Sequence, residues 1–207
     1  MSYRLLLLRH GETDHNAGQR MQGQLDVALN DRGRRQARAV APVLAARQPR
    51  MVISSDLRRA ADTAAVIAET AGVVVRYDVR LRESHLGQWQ GLTRAQVTEH
   101  DPAGLAAWRS DAEYTPPGGE SKVEVATRAL EVVTELGAEP GTVLVVAHGG
   151  LIAALTARML EMPVSRWSTI GGLHNTAWAE LVARRVDGRP GWRLAAWNVP
   201  GHPGRAQ

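Results

Sequence analysis

The chain has 207 residues and a formal net charge of +4, with 25 Lys and Arg against 21 Asp and Glu and 44% hydrophobic residues, which suits one α/β domain spanning 1–207 better than two full domains. It contains no cysteine, so disulfides, thiolate metal sites and cysteine nucleophiles are excluded, and a small positive balance built almost wholly from arginine gives no ground for nucleic acid binding. No apolar stretch approaches a membrane span, and Leu5 to Leu8, running straight into Arg9, is too short for a secretory h-region, so the expected location is the cytoplasm, with no membrane partner.

Taken in chain order, Leu5 to Leu8 reads as a buried strand that delivers Arg9, His10 and Gly11 to a sheet edge, where ligands of open α/β sheets sit. Asn30 is a cap for a helix from Asp31 to Arg47, and Met51 to Ser54 is a second short strand. Asp56 opens a helix to Ala71, stopped by Gly72, and Val73 to Tyr77 is a third strand, giving a β-α-β-α-β order. Thr93 with Gln96, and Ser121 with Glu124, fit capping boxes, so helices start there and the second reaches Gly137, with Pro116 to Gly119 as a loop between. The apolar run Val143 to Ala147 then ends in His148, Gly149 and Gly150, repeating the design of the first strand, and a helix follows from Leu151 to Leu160. Thr176 to Val182 and Trp192 to Trp197 form a closing pair around Asp187-Gly188, and 198–207 reads as a mobile tail.

Two strands that each end in a histidine can face one another across a ligand, and the residues around them suit phosphoryl transfer. That chemistry needs a nucleophile, donors around three oxygens and an acid for the leaving oxygen. His10 supplies a neutral ring nitrogen and Arg9 a planar fork that matches phosphate, while four arginines at 32, 34, 35 and 38 read as a solvated helix face. A rival reading is a metallohydrolase using His10, Glu12, Asp14 and His15, but the spacing is loose and the adjacent arginine repels a cation.

Arg9-His10-Gly11-Glu12-Thr13, Ser54 to Ala64, Leu81-Arg82-Glu83 with Gly87, Trp89 and Gly91, and the stretch around His148 together resemble the histidine phosphatase (phosphoglycerate mutase-like) superfamily, from Tyr3 to Trp197. The resemblance implies a three-layer sandwich with a mostly parallel central sheet flanked by helices, and a metal-independent, cofactor-free phosphatase working through a phosphohistidine at His10. It implies that Glu83 serves as acid and then base, that Arg9 and Arg59 bind phosphate, and that His148 steadies the phosphoryl group, helped by the Gly149 N–H. The N-terminus of the helix carrying Arg59 adds positive charge, and neighbouring Arg58 faces outward. Asn16 and Gln22 match oxygen-binding positions. Gln90 departs from the pattern, standing where many members carry an acid, a position expected behind the site.

At Met21 to Asp26, Glu83 to Thr93, Gly118 to Ser121 and His148 to Leu155 the resemblance narrows to an actinobacterial group of the superfamily that acts on glucosyl-3-phosphoglycerate, releasing glucosylglycerate. A small phosphorylated substrate with a carboxylate and a sugar calls for an extra cation or N–H donor and an aromatic wall, for which His85, Trp89 and Trp108 are the candidates. The resemblance also suggests a homodimer. Alternatives are a broad phosphatase, a phosphoglycerate mutase, disfavoured because Glu83-Ser84-His85-Leu86-Gly87 lacks the mutase pattern after the acid, and a catalytically silent phosphate-binding module.

Overall fold

The two apolar runs that end in histidine are neighbours in space. In the computed structural model, which describes residues 3–137, 139–186 and 189–201, β1 (Tyr3–Arg9) pairs in parallel with β4 (Gly141–Ala147), Arg9 opposite Ala147. Between them in sequence come α1 (Asp14–Ala17), α2 (Asp31–Ala45), β2 (Pro49–Ser54), α3 (Arg58–Ala71), β3 (Val75–Tyr77), α4 (Arg94–His100), α5 (Pro102–Ser110) and α6 (Lys122–Glu135). After β4 follow α7 (Gly149–Met159), β5 (Trp178–Val186) and β6 (Arg189–Val199). The six-stranded sheet has the order β3-β2-β4-β1-β5-β6. β3, β2, β4 and β1 are mutually parallel, and β5 and β6 close the other edge antiparallel.

Leu5 to Leu8 are each at most 1% exposed because β1 is central and covered on both faces; burying each contributes about 1.5–3 kcal/mol as an upper estimate. Alternation along β1 and β4 sends Leu5, Leu7, Val143 and Val145 toward Val125, Ala129, Leu151 and Leu155 of α6 and α7. Leu6, Leu8, Leu144 and Val146 point the other way, toward Val40 and Leu44 of α2 and Ala60, Ala64 and Ile67 of α3. These are the three layers of the sandwich. From β1 the chain crosses by α2 over β4 to β2, and from β4 it crosses by α7 to β5 on the opposite face, so the crevice between the C-terminal ends of β1 and β4 is a topological switch point.

The capping boxes at Thr93 and Ser121 form as expected, and Gly72 closes α3 with a φ of 69°, the left-handed value that glycine adopts without penalty. Several boundaries move. α2 ends at Ala45, two residues before Arg47, and α3 begins at Arg58 because the Asp56 carboxylate is taken by Arg82 instead of capping the helix. β2 starts earlier, at Pro49, and β3 later, at Val75, while the closing pair is longer than expected on both strands. α6 ends at Glu135, Gly137 adopting the left-handed conformation just beyond it. The tail does not begin at Asn198, since Asn198 and Val199 belong to β6, opposite β5, and Gly201 is buried. The Asp187-Gly188 turn and residues 202–207 lie outside the described residues.

A close backbone approach fixes the turn after β1. Gly33, in the first turn of α2, lies against Glu12, so that a Cβ at 33 would stand 2.0 Å from the Glu12 carbonyl oxygen, and a Cβ at Gly11 would stand 2.6 Å from the Gly33 oxygen. Neither position tolerates a side chain.

Candidate active site

His10 emerges from β1 with its amide donating to the Ala147 carbonyl of β4 (3.1 Å) and its carbonyl accepting from Asn175 Nδ2 (3.0 Å). The Gly11 amide donates to Thr63 Oγ1 (3.1 Å), which itself donates to the Arg59 carbonyl (2.7 Å), so α3 anchors the same turn whose cavity Arg59 enters. The His10 ring is 2% exposed. Its Nδ1 lies 2.6 Å from the Gly11 carbonyl, and a carbonyl only accepts, so Nδ1 carries the proton and Nε2 keeps its lone pair. Burial first, then the Arg59 and Arg9 guanidiniums, push the pKa of His10 well below the ordinary imidazole value. The group is therefore a neutral nucleophile at pH 7.

His148, at the end of β4, is fully buried and its ring centroid stands 5.2 Å from that of His10. Its Nδ1 accepts from Arg59 Nε (3.2 Å), which leaves the proton on Nε2 to donate to the buried Ser55 hydroxyl (2.9 Å). Burial, Arg59 and the neighbouring imidazole push its pKa down as well. His148 does not line the cavity; its two nitrogens are spent on Ser55 and Arg59, both of which it orients.

Arg59, 1% exposed, donates from Nη1 to the Leu25 carbonyl (2.6 Å) and from Nη2 to the Gly23 carbonyl (2.7 Å). With Nε on His148, three of the five guanidinium donors hold protein groups and two remain for a ligand. Burial lowers the Arg59 pKa to about 10, so it stays cationic. Arg58, as expected, is exposed. At the start of α3 the Arg58 amide donates to Asp26 Oδ1 (2.8 Å), while Arg59 in the same turn lines the cavity, as do Gly149 and Gly150 at the start of α7. Arg9 donates from Nη1 to the Leu173 carbonyl (2.6 Å), while its buried Nε has no hydrogen-bond partner among the described residues, and burial lowers its pKa too. A partly buried, incompletely paired guanidinium beside His10 is an anion receptor.

Glu83 faces these groups from the turn after Val79–Leu81. Its Oε1 accepts from the amides of Ser84 (3.0 Å) and Leu151 (2.9 Å) and its Oε2 from Gly150 (3.0 Å), so the carboxylate caps α7, whose N-cap His148 makes no side-chain capping bond.

Arg9, His10, Asn16, Gln22, Arg59, Glu83, Trp108 and Gly149 all line one cavity of about 860 Å³. Asn16 Oδ1 accepts from the Thr13 amide and from Asn175 Nδ2, both at 3.2 Å, and Gln22 Oε1 accepts from the Thr13 hydroxyl (2.9 Å), which leaves each amide NH₂ to offer donors. His85 and Trp89 are not on the wall. His85 Nδ1 lies 3.0 Å from the Gly118 carbonyl and tethers the Pro116 to Gly119 loop, while Trp89, 4% exposed, packs with Met21, Leu86, Val97 and Leu105 and stacks on Tyr114. Gln90 lies behind the cavity as expected: its Oε1 accepts the Gln24 amide (2.7 Å), a bond that a carboxylate oxygen would make equally well.

The wall also contains residues that sequence reasoning missed. Arg20, Arg94, Arg109 and Lys122 make its outer part cationic, with Glu83 the sole carboxylate among the described lining residues. The helix that presents Trp108 and Arg109 had a signal, since Asp101 followed by Pro102 is a cap and first-turn pair, and Asp101 Oδ1 accepts from the Gly104 amide (2.8 Å). Asn175, which holds the His10 carbonyl, had none. The residues of the metal reading do not gather: Glu12 is occupied by Asn30 and Arg32, and no three His, Cys, Asp or Glu side chains among the described residues are grouped as a metal requires.

A model of the histidine phosphatase superfamily (branch 1) matches residues 5–200. A protein of Mycobacterium tuberculosis named glucosyl-3-phosphoglycerate phosphatase is 51% identical over 210 residues, covering 95% of this chain and 94% of its own length. A namesake in Mycolicibacterium vanbaalenii is 51% identical over 212 residues with the same coverage. The solved structure of mycobacterial glucosyl-3-phosphoglycerate phosphatase in complex with VO₃ superposes with a TM-score of 0.90 at 50% identity, covering 95% of this chain and 99% of that one.

Proposed function

The chain belongs to the histidine phosphatase superfamily (branch 1), and from that premise we propose that it hydrolyses glucosyl-3-phosphoglycerate to glucosylglycerate and phosphate. The observation that carries the chemistry is the neutral His10, with Nε2 unprotonated, beside the partly buried guanidinium of Arg9 and the buried one of Arg59 and sharing a cavity with Glu83. The lone pair of Nε2 attacks phosphorus while the ester P–O bond breaks, and a proton held on Glu83 passes to the leaving oxygen. Water then attacks the phosphohistidine, Glu83 takes its proton, and the P–N bond breaks to return His10 to its starting form. Arg9, Arg59 and the Gly149 N–H stabilise the charge on the phosphoryl oxygens throughout. His148 acts by holding Arg59.

The substrate reading rests on the relatives' names and on the outer wall. A phosphate dianion accounts for Arg9 and Arg59, and Arg94, Arg109 and Lys122 stand on the same wall for a second anion. Lys122 Nζ donates to the Trp108 carbonyl and lies 5.3 Å from that ring, so a cation and an aromatic face are presented together, as a carboxylate with an adjoining sugar requires. Trp108 thus takes the aromatic role for which His85 and Trp89 were also candidates. A charged metabolite of this kind suits an enzyme of the cytoplasm, and the family resemblance supports a homodimer, for which a light-scattering mass twice that of the chain is expected.

The test is phosphate release, with exhaustive chelation, from glucosyl-3-phosphoglycerate, 3-phosphoglycerate and simple sugar phosphates. The first is expected to have the highest kcat/KM. A flat profile overturns the named substrate, activity lost on chelation overturns the metal-free chemistry, and net formation of 2-phosphoglycerate in place of phosphate makes the protein a mutase.

A further inference from the structure

Glu83 sits in a stretch without strand or α-helical hydrogen bonding: residues 82–86 follow the short turn Val79–Leu81 and precede Gly87–Trp89. Backbone groups in such a segment need partners from elsewhere, and one side chain bonds the carbonyls of Arg82 and Glu83 together with one from the turn before. Arg128 of α6, with 19% of its side chain exposed, donates from Nη1 to the carbonyls of Arg80 (2.6 Å) and Arg82 (2.7 Å). Its Nη2 donates to the Glu83 carbonyl (3.1 Å) and to Glu120 Oε2 (3.0 Å), and its Nε to Glu120 Oε1 (3.0 Å). All five donors are engaged. Glu120 in turn accepts the His85 amide (2.8 Å), so the ion pair grips the backbone on both sides of residue 83. Arg128 and Glu120 are absent from the cavity wall and have no access to a substrate there.

We propose that the Arg128–Glu120 pair positions Glu83, fixing its backbone so that the carboxyl group meets the leaving oxygen. The inference rests on the acid role given to Glu83 above. A planar fork satisfying three carbonyls of one segment is a rigid clamp, whereas an ordinary buried ion pair would need no such aim. Freed of the clamp, the segment still carries Glu83, but the carboxyl group spends less time in reach of the ester oxygen, and general acid help is sensitive to that geometry.

Two substrates separate this from a merely structural role. 3-Phosphoglycerate expels an alkoxide that requires protonation, and p-nitrophenyl phosphate expels a phenolate that does not. Arg128→Met is expected to lower kcat/KM, which reports phosphoryl transfer to His10 and not the later attack of water, by about 10- to 100-fold for 3-phosphoglycerate and by less than about 3-fold for p-nitrophenyl phosphate. Arg128→Lys, which keeps the charge opposite Glu120 but loses the fork, should fall between and serves if Arg128→Met does not fold. In a Glu83→Gln background either Arg128 change should add almost nothing. Equal losses on both substrates, or full additivity with Glu83→Gln, overturn the positioning role. If Glu83→Gln itself shows no dependence on the leaving group while His10→Ala is dead, it is the acid assignment that fails, and the inference falls with it.

Discussion

The inner and outer parts of the cavity are built by different means. At the inner end His10 and His148 project from adjacent parallel strands whose register is set by fully buried leucines and valines, and each ring nitrogen that faces protein has a backbone or side-chain partner. The outer wall is made by α5, the start of α6 and the loops between, where Arg94 and Arg109 are exposed. Sheet ends hold atoms still, as bond-making requires, while an exposed cationic wall selects among substrates without fixing any one geometry. The inner end should then govern kcat for every phosphate ester, and the outer wall KM for some of them.

The largest expected effect is at the inner end. His10→Ala abolishes turnover of every ester in single-turnover and steady-state assays, and residual activity on any substrate would break the division, since the nucleophile is common to all. Arg59→Ala should lower kcat by about 10²- to 10³-fold, the loss of one preorganised electrostatic donor, again irrespective of the group beyond the phosphate. At the outer wall Lys122→Met should raise KM about 10-fold for a substrate with a second anion and leave simple sugar phosphates unaffected, the value of roughly one partly buried charge-assisted bond. A uniform loss from that change would erase the distinction.

The smallest effect is on folding. The folded-state pKa values of both inner imidazoles are depressed, so as pH falls through the unfolded value of about 6.5 the unfolded chain gains protons that the folded protein does not. Stability is present above that pH and lost below it, with a slope of up to about 1.4 kcal/mol per pH unit for each ring. Urea titrations at about pH 7.5 and 5.5 measure it, and His10→Asn should reduce the slope.

The same contrast explains what the sequence revealed. β1 and β4 are legible because a wholly apolar run ending in histidine has few other readings, and Thr93, Ser121 and Gly72 punctuate their helices by local bonds. Asp56 misled because its local capping bond competes with a distant Arg82 that sequence does not place beside it. Whether Trp89 or Trp108 meets the cavity depends on how α5 lies against the Gly87–Trp89 turn, a packing outcome in which the two rings stand edge to face at 6.2 Å. His148 was recognised, but its role followed from Ser55 and Arg59, residues 93 and 89 positions away.

The backbone contact between Gly33 and Glu12 ties the reacting centre to a helix that never touches the cavity. One methyl group there would act as a wedge, prising the first turn of α2 from the segment bearing His10. A survey of single substitutions across the whole chain would accordingly find residue 33 as intolerant as the nucleophile itself, and anyone transplanting this centre to another scaffold would have to carry the helix along with the strand.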